Sequence, residues 1–188
     1  MNFKKEARFI GIDDAPFNKF KDRHVLVVGT VFRGGEWLDG VLSTKVEVDG
    51  SDATKKLVAI IAKSKFKPQL QAILLDGIAM GGFNVVDVKM LFQKTAIPVI
   101  VVMRNFPDFE VITKVLTRLG MERKIRLLKN AGIPQKVGHI YIQHIGISFD
   151  AARQIVEKTS TKSFIPEPLR IAHIIAAGII KGESSGGA

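Results

Sequence analysis

Apolar positions follow two periods along this chain. Residues 7–13 and 23–33 (RHVLVVGTVFR) are apolar and β-branched, which predicts two strands. Gly34-Gly35 then signals a hairpin into a third strand over 36–48, with Gly40 as a bulge position. After a turn at 49–52, Leu57, Ile60 and Ile61 recur at helical spacing and predict a helix over 53–64, which Ser51 or Asp52 can cap. Ala72-Ile73-Leu74-Leu75 is apolar without alternation, so 71–76 reads as a buried central strand. The glycine-containing stretch 77–83 is expected as a loop, and Val85, Val88 and Leu91 or Phe92 predict a helix over 84–94. Residues 98–103 form another strand. Pro107, Asp108 and Glu110 suit the start of a helix whose apolar face is Val111, Val115, Leu116 and Leu119. Gly120 interrupts it, and 121–130 reads as a second, basic helix. A strand over 137–147 and helices over 150–158 and 167–181 complete the pattern, and the tail GESSGGA is small and polar.

The order is therefore three strands in an antiparallel meander, then alternating helices and strands. That order predicts an α/β fold with a mixed sheet and helices on both faces, in the strand order of the ribonuclease H-like fold. A single domain over 1–181 with a flexible tail at 182–188 is expected. In that topology the first strand is central and lies beside the strand 71–76.

Composition narrows the chemistry. The 188-residue chain has no cysteine, which excludes disulfides, thiolate zinc sites and cysteine nucleophiles. No apolar run reaches the ~18 residues of a membrane span, and the N-terminal stretch MNFKKEARFIGID carries no apolar signal core, so a cytoplasmic location is expected. Net charge is +10, and residues 104–136 hold eight Lys/Arg against three Asp/Glu. Such an excess suits an anionic partner, above all nucleic acid, and is equally the mark of a generic basic surface. Phosphate-loop, nucleophile-elbow and H-E-x-x-H motifs are absent, and Trp37 and Tyr141 are each single, so no aromatic stacking platform is evident.

Two carboxylates end predicted strands: Asp13 in Gly11-Ile12-Asp13-Asp14, and Asp76 in Leu75-Asp76-Gly77. Adjacent strands bring them together, and two neighbouring carboxylates call for a cation, Mg²⁺ or Mn²⁺. Taken singly, each reads more readily as a turn aspartate that binds backbone N–H groups; taken together, in this strand order, the two favour a metal site. Asp52 is the first choice for a third ligand and Asp49 the second, although Asp52 also suits a helix cap. Asp150 fits a fourth position and also suits an N-cap. Asp14 should point to the other side of its strand and ranks lower. Arg104 ends its strand on the same edge as Asp76 and can hold a phosphate bidentately, or be a surface arginine. His144 and His173 are the histidines nearest these regions, but His173, alone on a helix with apolar neighbours, reads more readily as a packed structural residue, and His24 and His139 read as structural.

These residues carry a resemblance. Gly11-Ile12-Asp13, Leu75-Asp76-Gly77-Ile78-Ala79, Ile97-Pro98 through Arg104, and Ile165-Pro166-Glu167-Pro168-Leu169-Arg170-Ile171-Ala172-His173 occur in the order seen in the endonuclease V superfamily. The chain most resembles its archaeal endonuclease dU family, and the last motif is the most specific. The resemblance implies Mg²⁺-dependent phosphodiester cleavage in DNA near a deaminated base. It carries Asp13 and Asp76 over as metal ligands, places Gly77 and Arg104 at the substrate, and gives Arg170 and His173 supporting roles in the last helix. The chain departs from endonuclease V in three places. Val48-Asp49-Gly50-Ser51 replaces a Pro-Tyr wedge, a helix-borne glutamate has no clear equivalent, and Met80-Gly81 stands where a histidine is found. Those departures motivate a second reading, a nucleic-acid- or nucleotide-binding module that kept the fold without the chemistry.

Overall fold

A computed structural model of the protein describes Lys4 and residues 6–184; the last four residues of the expected tail lie outside them. The strands are β1 (Arg8–Asp14), β2 (His24–Arg33), β3 (Trp37–Glu47), β4 (Leu70–Asp76), β5 (Ala79–Met80), β6 (Asn84–Val85), β7 (Val99–Met103), β8 (Gln135–Val137) and β9 (Ile140–Ile145). The helices are α1 (Ala53–Lys63), α2 (Val88–Thr95), α3 (Phe109–Arg118), α4 (Glu122–Asn130), α5 (Phe149–Thr159) and α6 (Glu167–Lys181). Seven strands form one sheet in the order β3-β2-β1-β4-β7-β9-β8, and β5 pairs with β6 in a small ribbon. β1, β4 and β7 run parallel, while β2, β3 and β9 join antiparallel. The mixed sheet and the central place of β1, beside β4, are as expected.

Apolar runs explain which strands are central. β1, β4 and β7 are buried on both faces and lack polar alternation, whereas edge strand β3 alternates and exposes Ser43, Lys45 and Glu47. Alternate residues of the central strands feed two cores. Ile10, Ile12, Ile73, Leu75, Val99 and Val101 pack with Leu57 and Ile61 of α1 and Leu91 of α2. Phe9, Ala72, Leu74, Ile100 and Val102 pack with Ala152, Ile155 and Val156 of α5 and Leu169 of α6. Helices therefore cover both faces.

Two elements differ from the sequence expectation. Helix α2 begins four residues late, because Asn84 and Val85 belong to the β5–β6 ribbon and Asp87 is the N-cap, accepting from Met90 N–H at 3.0 Å. Buried Asn84 accepts from Ala53 N–H and donates to Glu47 O and Asp52, work that a helical position would not allow. The strand expected at 137–147 is instead a hairpin, turned at Gly138 with φ +56°. The Gly40 bulge is present: pairing slips between Val31↔Gly40 and Phe32↔Leu38, and the extra residue, Asp39, accepts from Arg8 and Arg33.

One glycine seats α6. A Cβ at Gly11 would meet the Pro168 backbone carbonyl carbon and, at 2.5 Å, Leu169 N. The start of α6 thus lies directly on β1, and Thr30 Oγ1 of β2 donates to Pro168 O at 2.5 Å. Gly11→Ala is expected to cost about 1–3 kcal/mol or more, because the clash is with backbone that cannot rotate away. Urea denaturation checks this, and an unchanged midpoint would contradict it.

Candidate active site

Gly11 sets the register between α6 and β1. From Gly11 to Asp13 the strand advances about 6.6 Å. From Pro168 to His173 the helix rises about 7.5 Å. The two advances nearly match, so His173 arrives over Asp13, with Nδ1 and Oδ2 sharing a hydrogen bond at 2.9 Å. Asp13 Oδ1 accepts from Asp14 N–H at 2.9 Å.

Pairing of β1 with β4 ends at Ile12↔Leu75, so Asp13 and Asp76 follow as neighbours at the carboxyl ends of parallel strands. Open α/β sheets place ligands at such ends. Asp13, Asp14, Asp76, Arg104 and His173 line a cleft of about 480 Å³, walled by Ala15, Pro16 and Phe17. Asp13 is only 6% exposed. Burial, then the charges of Asp76 and Asp14, push its carboxyl up from 3.8 to about 8. Asp14 is also raised, mainly by burial.

Arg104 leaves the end of β7 and donates through Nη1 to both oxygens of Asp76, at 3.1 and 3.3 Å. Its side chain is 44% exposed, which leaves N–H groups open to a ligand. Gly77 turns the chain at φ +76° just after Asp76 and has open space where a Cβ would be.

The other expected site residues lie elsewhere. Asp52 accepts from Asn84 Nδ2 at 2.7 Å and Glu47 N–H at 3.1 Å, and does not line the cleft. The capping oxygen at Ala53 N–H comes from Asn84. Asp49 accepts from Phe83 N–H at 2.7 Å and pairs with Lys19. Asp150 is exposed in the first turn of α5, whose N-cap is Ser148. Arg170 is bonded to buried Glu167 by three contacts of 2.7–3.1 Å and lines a different hollow, with Lys162 and Leu38. His144 is tied to Ile147 O and Gln135 Oε1, away from the cleft.

Sequence reasoning undervalued Asp14. As alternation requires, its carboxylate reaches the other way and accepts from Gly81 N–H at 3.0 Å, yet it still lines the cleft. β1 runs one residue past the end of β4, so Asp14 has no strand neighbour on that flank. Lys124 was also missed as an individual. It is 7% exposed, and Nζ donates to Asp49 O at 2.7 Å and Gly50 O at 2.9 Å. Asp49 N–H in turn donates to Gly81 O, so α4 is bolted to the turn that braces Asp14.

Among the described residues no group of three or more His, Cys, Asp or Glu is already gathered closely enough to hold a metal. The donor chemistry nevertheless fits a hard divalent cation: carboxylate oxygens, one of them buried and poorly compensated, in a site open to water. Mg²⁺ usually keeps several waters and needs few protein ligands.

Comparisons with known proteins establish the family and the fold. The sequence profile of the family described as Endonuclease dU matches residues 5–180. A UPF0215 protein of Methanothermobacter thermautotrophicus is 50% identical over 190 residues, covering 98% of this chain and 93% of that one. A crystal structure of a protein of unknown function from Archaeoglobus fulgidus is 41% identical with a TM-score of 0.86, covering 92% of this chain and 97% of the other. Endonuclease V of Ciona intestinalis, in complex with DNA containing an inosine followed by a ribo-adenosine, shares the fold at a TM-score of 0.60 and 19% identity, over 94% of this chain and 86% of that one. With β1 beside β4, two acids at their ends and α6 laid across them, the chain is a ribonuclease H-like protein and belongs to the endonuclease dU family.

Proposed function

We propose that this protein is a divalent-metal-dependent endonuclease that acts in the cytoplasm on DNA near a deaminated base, uracil or hypoxanthine, in DNA repair. The observation that carries it is the convergence of Asp13 and Asp76, with Asp13 buried and its carboxyl raised to about 8 beside two other acids. Mg²⁺ or Mn²⁺ held by Asp13 and Asp76 would lower the pKa of a bound water and stabilise the leaving oxygen of a phosphodiester. Asp14 is the nearest further carboxylate, and it takes the place that the sequence suggested for Asp52 and Asp150. His173 orients Asp13 through their 2.9 Å hydrogen bond. Arg104 releases donors toward a phosphate while it steadies Asp76. Of the eight Lys/Arg between 104 and 136, Lys124 is buried and the other seven are exposed, so seven can meet backbone phosphates.

The test is a cleavage panel of uracil-, hypoxanthine- and xanthine-containing and undamaged strands, with Mg²⁺ or Mn²⁺. Lesion-dependent cleavage with metal is expected, and none in EDTA. Affinity should fall by roughly 10³-fold or more between 50 and 200 mM salt if about six of the seven cations engage phosphates. A salt-insensitive interaction would contradict the role given to those residues. The second reading, a binding module, draws on one observation: Asp52 is taken up by Asn84 and Glu47 and adds no acid to the cleft. Tight, salt-dependent binding without cleavage of any strand would favour it.

A further inference from the structure

The loop after β7 carries Phe106, two residues beyond Arg104. Its ring is perpendicular to two others: Tyr141 at 5.4 Å between centroids and 79°, and Phe109 at 6.1 Å and 89°. Neither neighbour stacks parallel on it, and Phe106 remains 52% exposed. The rings come from two distant places in the sequence, which is why Tyr141 looks isolated in the primary structure.

The position of this cluster follows from the sheet. Asp76 pairs with Val102 on β7, and Met103 pairs with Tyr141 on β9. Tyr141 therefore lies two strands from β4, about 10 Å at the usual spacing. That distance spans about three stacked nucleotides, at roughly 3.4 Å each. Lys136 stands opposite Tyr141 on β8 and is exposed, as is Arg104, two residues before Phe106. An aromatic ring braced from two sides and half exposed, with Arg104 beside it in sequence and Lys136 on the strand next to Tyr141, matches the two parts of a single-strand binding surface: a charged track for the backbone and a π-face for a base.

Building on the nuclease reading, we propose that Phe106 is a stacking platform for one unpaired base of the nucleic acid, within a few nucleotides of the phosphate that Arg104 meets beside Asp76. The charge around the ring argues against an apolar protein partner. Exposed Val111, Val115 and Leu119 lie nearby on α3, but the segment from Arg104 to Lys136 holds eight cations against three acids. Phe109 and Tyr141 are positioning residues here: they fix the angle of the ring and lower the entropy lost when a base settles on it.

The experiment is a titration of a labelled single-stranded oligonucleotide in EDTA, where no cleavage occurs. A 2-aminopurine is placed at successive positions along the strand. Phe106→Ala is expected to weaken binding by about 5- to 150-fold, the loss of one stacked base. Phe106→Trp should keep affinity near the native value. The salt slope should be unchanged in both variants, since no charge is removed, whereas Arg126→Ala should reduce it. One position of 2-aminopurine should be quenched by the native protein and by Phe106→Trp but not by Phe106→Ala. An exposed ring is not expected to alter folding, and equal thermal midpoints of native protein and Phe106→Ala check that. If native protein and Phe106→Ala bind alike, the platform is wrong while the nuclease reading stands. If Phe106→Ala instead changes only the self-association of the protein, the ring is a protein contact and the proposal falls. If the native protein binds no nucleic acid at low salt, both readings fall together.

Discussion

Asp76→Asn is expected to reduce metal-dependent cleavage by about 10³-fold or more, while the folding midpoint barely moves. The large effect comes from charge. On the proposed reading the carboxylate would supply oxygen and a formal negative charge to a divalent ion, whose stabilisation of a transition state is worth several kcal/mol. Each 1.36 kcal/mol is a factor of ten in rate. The small effect on folding follows from the same geometry. Asn keeps the volume of Asp, and the ion pair that it loses is with Arg104, 44% exposed, where such pairs contribute about 0–1 kcal/mol. Removing Asp76 also relieves repulsion on Asp13, since Asp76 is the largest charge effect that raises the Asp13 carboxyl. Single-turnover cleavage in saturating Mg²⁺, alongside urea denaturation, measures both parts. Full activity in the variant would overturn the assignment of Asp76.

Asp13 has the largest expected effect on stability. In the unfolded chain its carboxyl titrates near 3.8, and in the folded protein near 8. Between those values the folded state holds the proton more often than the unfolded state does, so stability falls as pH rises. The contribution is complete below about pH 4 and is lost as pH passes through about 8, with a slope of at most ~1.4 kcal/mol per pH unit. The metal-free protein should therefore melt at progressively lower temperature from pH 5 to pH 9. Asp13→Asn removes the titrating group and should flatten that profile, with a higher melting temperature than the native protein at pH 8 in EDTA. Mn²⁺ should restore the native protein at high pH and leave Asp13→Asn unaffected, because a ligand that binds only the folded state stabilises it. Parallel melting curves for the two proteins across this range would contradict the upward shift that burial gives the Asp13 carboxyl. Asp13→Asn thus separates stability from function: it should gain in the first and lose cleavage.

The pairing of Asp13 with Asp76 was legible in the sequence because it needed only element order. An apolar run that ends in a carboxylate marks a strand end, and three strands followed by alternating helices leave few ways to arrange the sheet. The bulge at Gly40, the break at Gly120 and the last helix were legible for the same local reason. The β5–β6 ribbon was not. Val85 has the helical spacing of an α2 residue, and only the bonds from Asn84 to Glu47, Asp52 and Ala53, more than thirty residues away, hold it in a strand. Asp52 looked like a metal ligand or a cap, and its carboxylate turned out to be held by that same asparagine.

By itself the sequence determined the strand order, the two acids at neighbouring strand ends and the positive charge of the segment after β7. Those properties depend on residue type and on short-range periodicity. Tertiary structure decided which side chains face the cleft. Gly11 lets α6 settle on β1, and the matched rise of helix and strand then delivers His173 to Asp13 across 160 residues. The overhang of β1 past β4 brings Asp14 to the cleft. The β7–β9 register joins Tyr141 to Phe106. Contacts of that kind depend on register and close approach between distant segments, which no local pattern encodes.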